Sequence, residues 1–103
     1  MKVEQFKNKN QFRLYGEGKN ILQSYNSTVV IIEEDKEDHC TTWVTLGRDW
    51  DYSTTTRKHV YLFLEEYLPY GFNVRGLINA KNKRDFVQKM IDNHEIGYDK
   101  DLV

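Results

Sequence analysis

The four residues Val29-Val30-Ile31-Ile32 constrain the fold of this chain more than any other feature. Consecutive side chains of a β-strand point to opposite faces of the sheet, so an unbroken run of branched apolar residues makes both faces apolar. The run therefore predicts a central strand that is covered on both sides. It is far shorter than the ~20 apolar residues of a membrane-spanning helix, so we expect no membrane partner.

The residues on either side of this run predict further strands joined by short turns. Alternating apolar and polar residues, β-branched side chains and the turn Gly16-Glu17-Gly18 favour hairpins. Four segments share these signals: residues 11–15, 20–25, 28–33 and 41–46. They predict a four-stranded antiparallel meander over about residues 11–46. Its first strand would be an exposed edge on which two copies could pair, so we expect a monomer or a homodimer.

The second half of the chain predicts two helices, over about residues 53–68 and 82–94. Asn82 is the expected N-cap of the second helix, and residues 73–79 are expected to form a loop. In the first helix, apolar side chains recur at helical spacing: Thr56, Val60, Phe63, Leu64 and Tyr67. Its candidate N-caps are Ser53, Thr54 and Thr55. The tail from Glu95 either frays or adds a short strand. We therefore predict one α+β domain, residues 1–103, with both helices packed on one face of the sheet.

The charges are nearly balanced, with 15 basic and 16 acidic residues and a net charge of −1. A non-specific nucleic-acid binder usually carries a basic excess, and a DNA mimic would carry an acidic one, so neither class fits the chain as a whole. Cys40 is the single cysteine, which excludes an intramolecular disulfide and favours a reducing compartment. The first residues lack the apolar segment of a signal peptide, so we expect a cytoplasmic protein.

Residues that bind metals or carry catalysis form no known pattern in this sequence. His39-Cys40 with His59 or His94 has no zinc-site spacing, and a nucleophilic Cys–His pair needs an orienting third group. The acidic residues 33–38 lack the glycine and the ligand alternation of a calcium loop. We expect no catalytic residue, no metal and no cofactor, and we predict that the protein is not an enzyme.

Two groups of residues are candidates for binding a partner. The first joins Tyr70 to five basic residues: Arg75, Lys81, Lys83, Arg84 and Lys89. Basic and aromatic side chains together can grip a nucleic-acid backbone, although a solvated helix face gives the same pattern. The second group is Trp50 and Tyr52, which lie in a run that also supplies helix caps. Partner contact and a structural role, as a hydrophobic staple and a lid on the core, both remain open for these two.

Three stretches of the sequence are similar to stretches in a known group of proteins: Asn10-Gln11-Phe12, Gln23-Ser24-Tyr25-Asn26-Ser27 and Asp51-Tyr52-Ser53-Thr54-Thr55-Thr56-Arg57-Lys58. In these stretches the chain resembles a group of short uncharacterised proteins from phages and conjugative elements of low-GC Gram-positive bacteria. The resemblance covers roughly residues 6–95, and residues 69–80 form a longer segment than the group leads us to expect. It implies a genomic setting, a mobile element acting in the cytoplasm of a bacterial host, and no reaction.

These observations lead to two hypotheses. The first is a non-enzymatic accessory protein of a mobile element that binds and blocks a host protein or protein–nucleic-acid complex, as an anti-CRISPR-like inhibitor of host defence does. The second is a small nucleic-acid-binding module that uses the basic loop and the second helix.

Overall fold

The computed structural model describes residues 1–35, 37, 41–69 and 71–103 of the chain, and in them it shows an α+β fold of six strands and three helices. The strands are β1 (Lys2–Gln5), β2 (Gln11–Gly16), β3 (Lys19–Ser24), β4 (Ser27–Glu34), β5 (Thr42–Gly47) and β6 (Gly97–Asp99). The helices are α1 (Thr54–Tyr67), α2 (Val74–Asn79) and α3 (Lys83–Asp92).

The strands form one sheet in the order β1-β2-β3-β4-β5-β6. The first five pair antiparallel, as the predicted meander requires, and β6 joins β5 in parallel. The prediction that residues 11–15 form an exposed edge is wrong, because β1 pairs along them with Val3 opposite Leu14. Strand β1 was missed since all four of its side chains are exposed and it shows no strong apolar alternation. The edges that remain are β1 and β6.

A β-bulge in β4 explains the apolar run that dominates the sequence. Leu22 pairs with Val30 and Gln23 pairs with Thr28, so Val29 is the extra residue between them. Both Val29 and Val30 are fully buried, whereas Ile31 is partly exposed on the other face. The prediction of a strand covered on both sides is therefore wrong. The bulge turns two consecutive residues toward the same layer, which a simple alternation does not anticipate.

The helices begin where capping side chains are available. Ser53 caps α1, its Oγ accepting from the Thr56 amide at 3.1 Å, and Asn82 caps α3 by accepting from the Asp85 amide at 3.1 Å. The predicted stripe of α1 is confirmed, with Val60 and Phe63 fully buried. These caps satisfy backbone donors that the first turn of a helix leaves free.

Helix α2 lies in the segment that the sequence predicted as a loop. Asn73 caps it by accepting from the Gly76 amide at 2.9 Å, and Leu77 anchors it in the core. The segment was missed because a six-residue helix with a central glycine has weak intrinsic preference. The second predicted helix ends at Asp92 rather than at 94, and the short-strand alternative for the tail is confirmed by β6.

The core lies between the helical layer and one face of the sheet, which we call the covered face. Its buried apolar side chains come from both layers: Phe6, Leu22, Val29, Val30, Ile32, Val44, Leu46, Trp50, Val60, Phe63, Leu64, Leu68, Leu77, Val87, Met90 and Ile96. Phe6 packs edge-on against Phe63, with ring centroids 5.3 Å apart. None of the helices described is long and apolar enough to cross a membrane.

Candidate functional site

The side of the sheet opposite the helices, which we call the open face, carries a row of apolar residues. In the strand registers, Val3 pairs with Leu14, Leu14 with Ile21, and Ile21 with Ile31. The row continues through Thr45 on β5 and Gly97 on β6. The register row crosses all six strands, and its apolar part covers β1 to β4, a width of about 14 Å at the usual spacing between strands.

The side chains of this row are distinct from the buried core. Val3 is exposed, and Leu14, Ile21 and Ile31 are partly exposed, although all four are types that proteins usually bury. Trp43, at 52% exposure, lies on the same face in a neighbouring row. The four side chains lie side by side over roughly 14 Å of the sheet, and contiguous exposed apolar residues of this kind are often functional.

The charge at the border of the open face is compensated within the chain. Lys19 pairs with Glu33 in the register of β3 and β4, and their side chains form an ion pair of 3.9 Å beside Trp43. The centre of the face therefore offers no charge to a ligand. A surface of this chemistry suits an apolar protein surface and offers little to a phosphate backbone.

The five predicted basic residues do not form one free basic surface. Lys83 Nζ lies 2.6 Å from Glu65 Oε1, and Arg84 Nη2 donates to Asp51 Oδ2 at 3.0 Å. Three others are exposed to solvent: Arg75, Lys81 and Lys89. Tyr70 lies outside the described residues. Two of the five cations thus bind carboxylates of the chain itself, which lowers the charge available to an external anion.

A basic groove runs between α1 and α3, with a volume of about 300 Å³. Its lining combines cations, a phenol and apolar carbons: Thr54, Arg57, Lys58, Tyr61, Leu62 and Lys83. Arg57 is held in place by donating to the Asp51 carbonyl at 3.1 Å and to Thr54 Oγ1 at 3.2 Å. Burial raises the pKa of Tyr61 above 10.0, although Arg57 acts in the opposite direction. The sequence analysis assigned no role to Arg57 or Lys58.

Trp50 and Tyr52 separate into different environments. Trp50 is 2% exposed and belongs to the core, so it offers no surface to a partner, and we remove it from the candidate interface. Tyr52 is 80% exposed, so its predicted role as a lid on the core is wrong and its surface is free for contact. A staple needs an apolar neighbour within the helix, whereas an exposed phenol is typical of an interface.

Two of the stretches that carry the resemblance meet beside the start of α1, where they form a pocket of about 290 Å³ that we call the tyrosine pocket. Its lining residues come from the turn between β3 and β4 and from the approach to α1: Ser24, Tyr25, Ser27, Val29, Asp49, Tyr52 and Thr56. Ser27 Oγ donates to Asp49 Oδ2 at 2.9 Å, and Ser24 Oγ lies 3.0 Å from Thr56 Oγ1. The sequence analysis interpreted this run as a helix start, so the pocket was not foreseen.

A wider cleft of about 620 Å³ lies beyond the C-terminal end of α1, around Arg13. The guanidinium of Arg13 lies between two rings, 3.9 Å from the centroid of Tyr15 and 4.4 Å from that of Tyr67. Its Nε donates to Asn20 Oδ1 at 2.8 Å and its Nη1 to Glu4 Oε1 at 2.9 Å. These contacts join β1, β2, β3 and α1, so we interpret Arg13 as a structural link.

The residues considered for metal or nucleophilic chemistry either lie in different environments or are not among the described residues. His59 is buried and its Nδ1 donates to the Thr55 carbonyl at 2.8 Å, whereas His94 is exposed. His39 and Cys40 lie outside the described residues, as do positions 36 and 38 of the acidic run. Among the residues with a described position, no group of three potential ligands is placed to hold a metal ion.

Comparison with known proteins identifies the family of the chain. Residues 1–93 match the model of a family of unknown function, DUF8033, and the chain belongs to that family. No curated protein and no solved structure matches the chain. The family description names no activity, so a function has to be argued from the surfaces described above.

Proposed function

We propose that this member of DUF8033 is a non-enzymatic interaction protein that binds a host protein complex through the open face of its sheet. The observation that carries the proposal is the apolar row from Val3 to Ile31, which covers four neighbouring strands outside the buried core. Contiguous exposed apolar surfaces often mark sites of protein association.

The occupant that fits this face is an uncharged apolar surface of a folded protein. At its border Lys19 and Glu33 neutralise each other and the exposed Asp99 is acidic, so the face does not attract a polyanion. A second copy stacked face to face on this row alone would bury far less than the roughly 800 Å² per chain of a stable interface. A larger partner can also contact Trp43 and the edge strands, so a heterologous complex is favoured.

The biological form that we propose is an accessory protein of a mobile element. The resemblance to phage and conjugative-element proteins supports it, and so does the exposed apolar row on the open face of the sheet. Binding of a small protein to the apolar surface of a host complex would block that surface for its natural partner. An inhibitor of host defence, similar in strategy to anti-CRISPR proteins, is the specific form of this proposal.

The test compares charge insertion on the two sides of the molecule. A partner is first isolated from nuclease-treated lysate of a low-GC Gram-positive bacterium with tagged protein, then purified, and the binary dissociation constant is measured by calorimetry. Ile21→Lys and Ile31→Lys should each weaken binding by about tenfold or more, because a lysine would be desolvated in an apolar interface. Ile78→Lys, the same change at an exposed position of α2, should leave affinity unchanged.

Three outcomes would contradict the proposal. Unchanged affinity of both open-face variants, with circular dichroism showing that they fold, would place the interface elsewhere. Concentration-dependent dimerisation that these variants abolish would identify a second copy as the occupant. Loss of every partner after nuclease treatment would favour the nucleic-acid alternative.

That alternative has one observation in its favour, the basic groove lined by Arg57, Lys58 and Lys83. If it binds a nucleic-acid backbone, affinity for single-stranded oligonucleotides should fall steeply with salt, and Arg57→Gln together with Lys58→Gln should reduce the slope by about two. Affinity that is independent of salt would exclude it.

A further inference from the structure

We infer that the tyrosine pocket binds an alkylammonium group, carried either by a free amine or by a lysine side chain. The inference is independent of the proposed interface, because the pocket lies on the helical side of the sheet, around Ser24 and Thr56, and not on the open face. Three features lead to it: the charge of the lining, the hydroxyl groups and the position of the two tyrosines.

The charge of the lining comes from Asp49. Among the described residues that line the pocket, Asp49 is the only one with a charged side chain. Ser27 Oγ occupies one acceptor position on its Oδ2, and exposed Arg48 approaches Oδ1 only to 3.7 Å. A carboxylate has about four acceptor positions, so most of them remain for a ligand. This carboxylate attracts a cation and repels carboxylates and phosphates.

Hydroxyl oxygens add neutral hydrogen-bond acceptors on the inner side of the tyrosine pocket. Ser53 Oγ donates to Thr56 Oγ1 at 3.2 Å, and Thr56 Oγ1 lies 3.0 Å from Ser24 Oγ. An ammonium group has three donors and no acceptor, and a carboxylate with flanking hydroxyls matches it. Gln11, the register partner of Ser24, is fully buried, and its side-chain amide has no hydrogen bond within the described part of the chain. This amide lies opposite Ser24 in the register and does not itself line the pocket.

The positive end of α1 does not make this an anion site. Ser53 already caps the Thr56 amide, so the first turn presents one donor fewer. The Asp49 carboxylate lines the same pocket and would have to be displaced or neutralised by any incoming anion. Coulomb repulsion between two such anions outweighs the fractional charge of a helix end.

The two tyrosines provide aromatic faces at the mouth. Tyr25 is 51% exposed and Tyr52 is 80% exposed, although both line the pocket. Tyr25 has a φ of 54° at the first position of a two-residue turn, where glycine is favoured. A bulky residue in this region is strained, and such strain concentrates at binding sites. Ammonium groups bind to the faces of such rings.

The test is a titration of the ¹⁵N-labelled full chain followed by NMR. The two ammonium probes are n-butylammonium, as the free amine, and a capped Gly-Lys-Gly peptide, as the side chain. Butyrate at equal ionic strength is the matched anion. Both ammonium probes should produce saturable shifts at the amides of Ser27, Tyr52 and Thr56, and butyrate should not. Tighter binding of the peptide would identify a lysine side chain, and equal binding would identify the amine alone.

Variants decide whether Asp49 and the tyrosines carry the binding. Asp49→Asn should weaken binding of n-butylammonium by about tenfold, the usual effect of losing a charge-assisted hydrogen bond. Tyr52→Ala, at an exposed position that leaves the core intact, should weaken it severalfold. Equal shifts with butyrate, or undiminished binding to both variants, would overturn the inference. Tyr52→Ala keeps the test decisive if Asp49→Asn fails to fold.

Discussion

The two faces of the sheet are built from the same kinds of residue and differ in what covers them. On the covered face, Leu22 and Val30 are fully buried beneath the helices. On the open face, their chain neighbours Ile21 and Ile31 form a row of comparable hydropathy that remains partly exposed. An apolar strand pattern therefore indicates that a face of the sheet tends to be buried. It does not show whether the chain itself or a partner buries that face.

The largest expected effect comes from matched truncations on the two faces. Leu22→Ala should lower the free energy of unfolding by about 2–5 kcal/mol, because it removes fully buried methyl groups and leaves a cavity. Ile21→Ala, on the next residue and the opposite face, should lower it by about 1 kcal/mol or less, since that side chain is partly exposed. Urea denaturation followed by circular dichroism measures both.

Equal losses of unfolding free energy in Leu22→Ala and Ile21→Ala would contradict the difference between the two faces. They would mean that the open face is covered in the isolated protein, by a second copy for example, and sedimentation at several concentrations would reveal that state. A difference that disappears only at high protein concentration would carry the same meaning.

The sequence predicted the covered face well and the open face poorly. The stripe of α1, its Ser53 cap and the four central strands follow from local patterns that act within a few residues. The bulge at Val29 could not be predicted, because it depends on the register between two strands. Without the bulge, the run Val29-Val30-Ile31-Ile32 implies equal burial on both sides, so the open face was expected to be covered.

The candidate sites were predicted only in part, for a similar reason. The basic residues were found by counting, but the ion pairs of Lys83 with Glu65 and of Arg84 with Asp51 join separate elements. Arg13 was placed on a strand, and its position between two tyrosine rings depends on where α1 ends. Contacts between distant parts of the chain decide each of these outcomes.

A smaller loss of stability is expected from a change at the border of the covered face. Arg13→Lys should lower the free energy of unfolding by about 1 kcal/mol, because lysine cannot bind Asn20 and Glu4 together while stacking between two rings. Arg48→Lys, at an exposed position, is the matched control and should have little effect. Denaturation in urea compares the stability of the two variants. Equal stability would contradict the interpretation of Arg13 as a structural link.

The smallest expected change in the free energy of unfolding occurs at alkaline pH, and it tests how well the helical layer excludes water. Burial raises the pKa of Tyr61 and of Tyr67 above 10.0 in the folded chain. Above pH ~10 the unfolded chain loses these protons while the folded chain keeps them, so the free energy of unfolding should fall as the pH rises. Tyr61→Phe and Tyr67→Phe should each flatten this decline. An unchanged decline in both variants would contradict the assignment.

The parallel pairing of β6 with β5 has a consequence for the order in which the fold forms. Strands β1 to β5 follow one another through short connections, so each pair can close locally and early. We expect Thr45 to meet Gly97 only after the intervening helices have packed, because nearly half of the chain lies between these two residues. Closing that loop carries an entropic cost that packing of the helices would offset. The ladder between β5 and β6 is therefore expected to form last, and its amides should exchange with solvent before those of the other ladders.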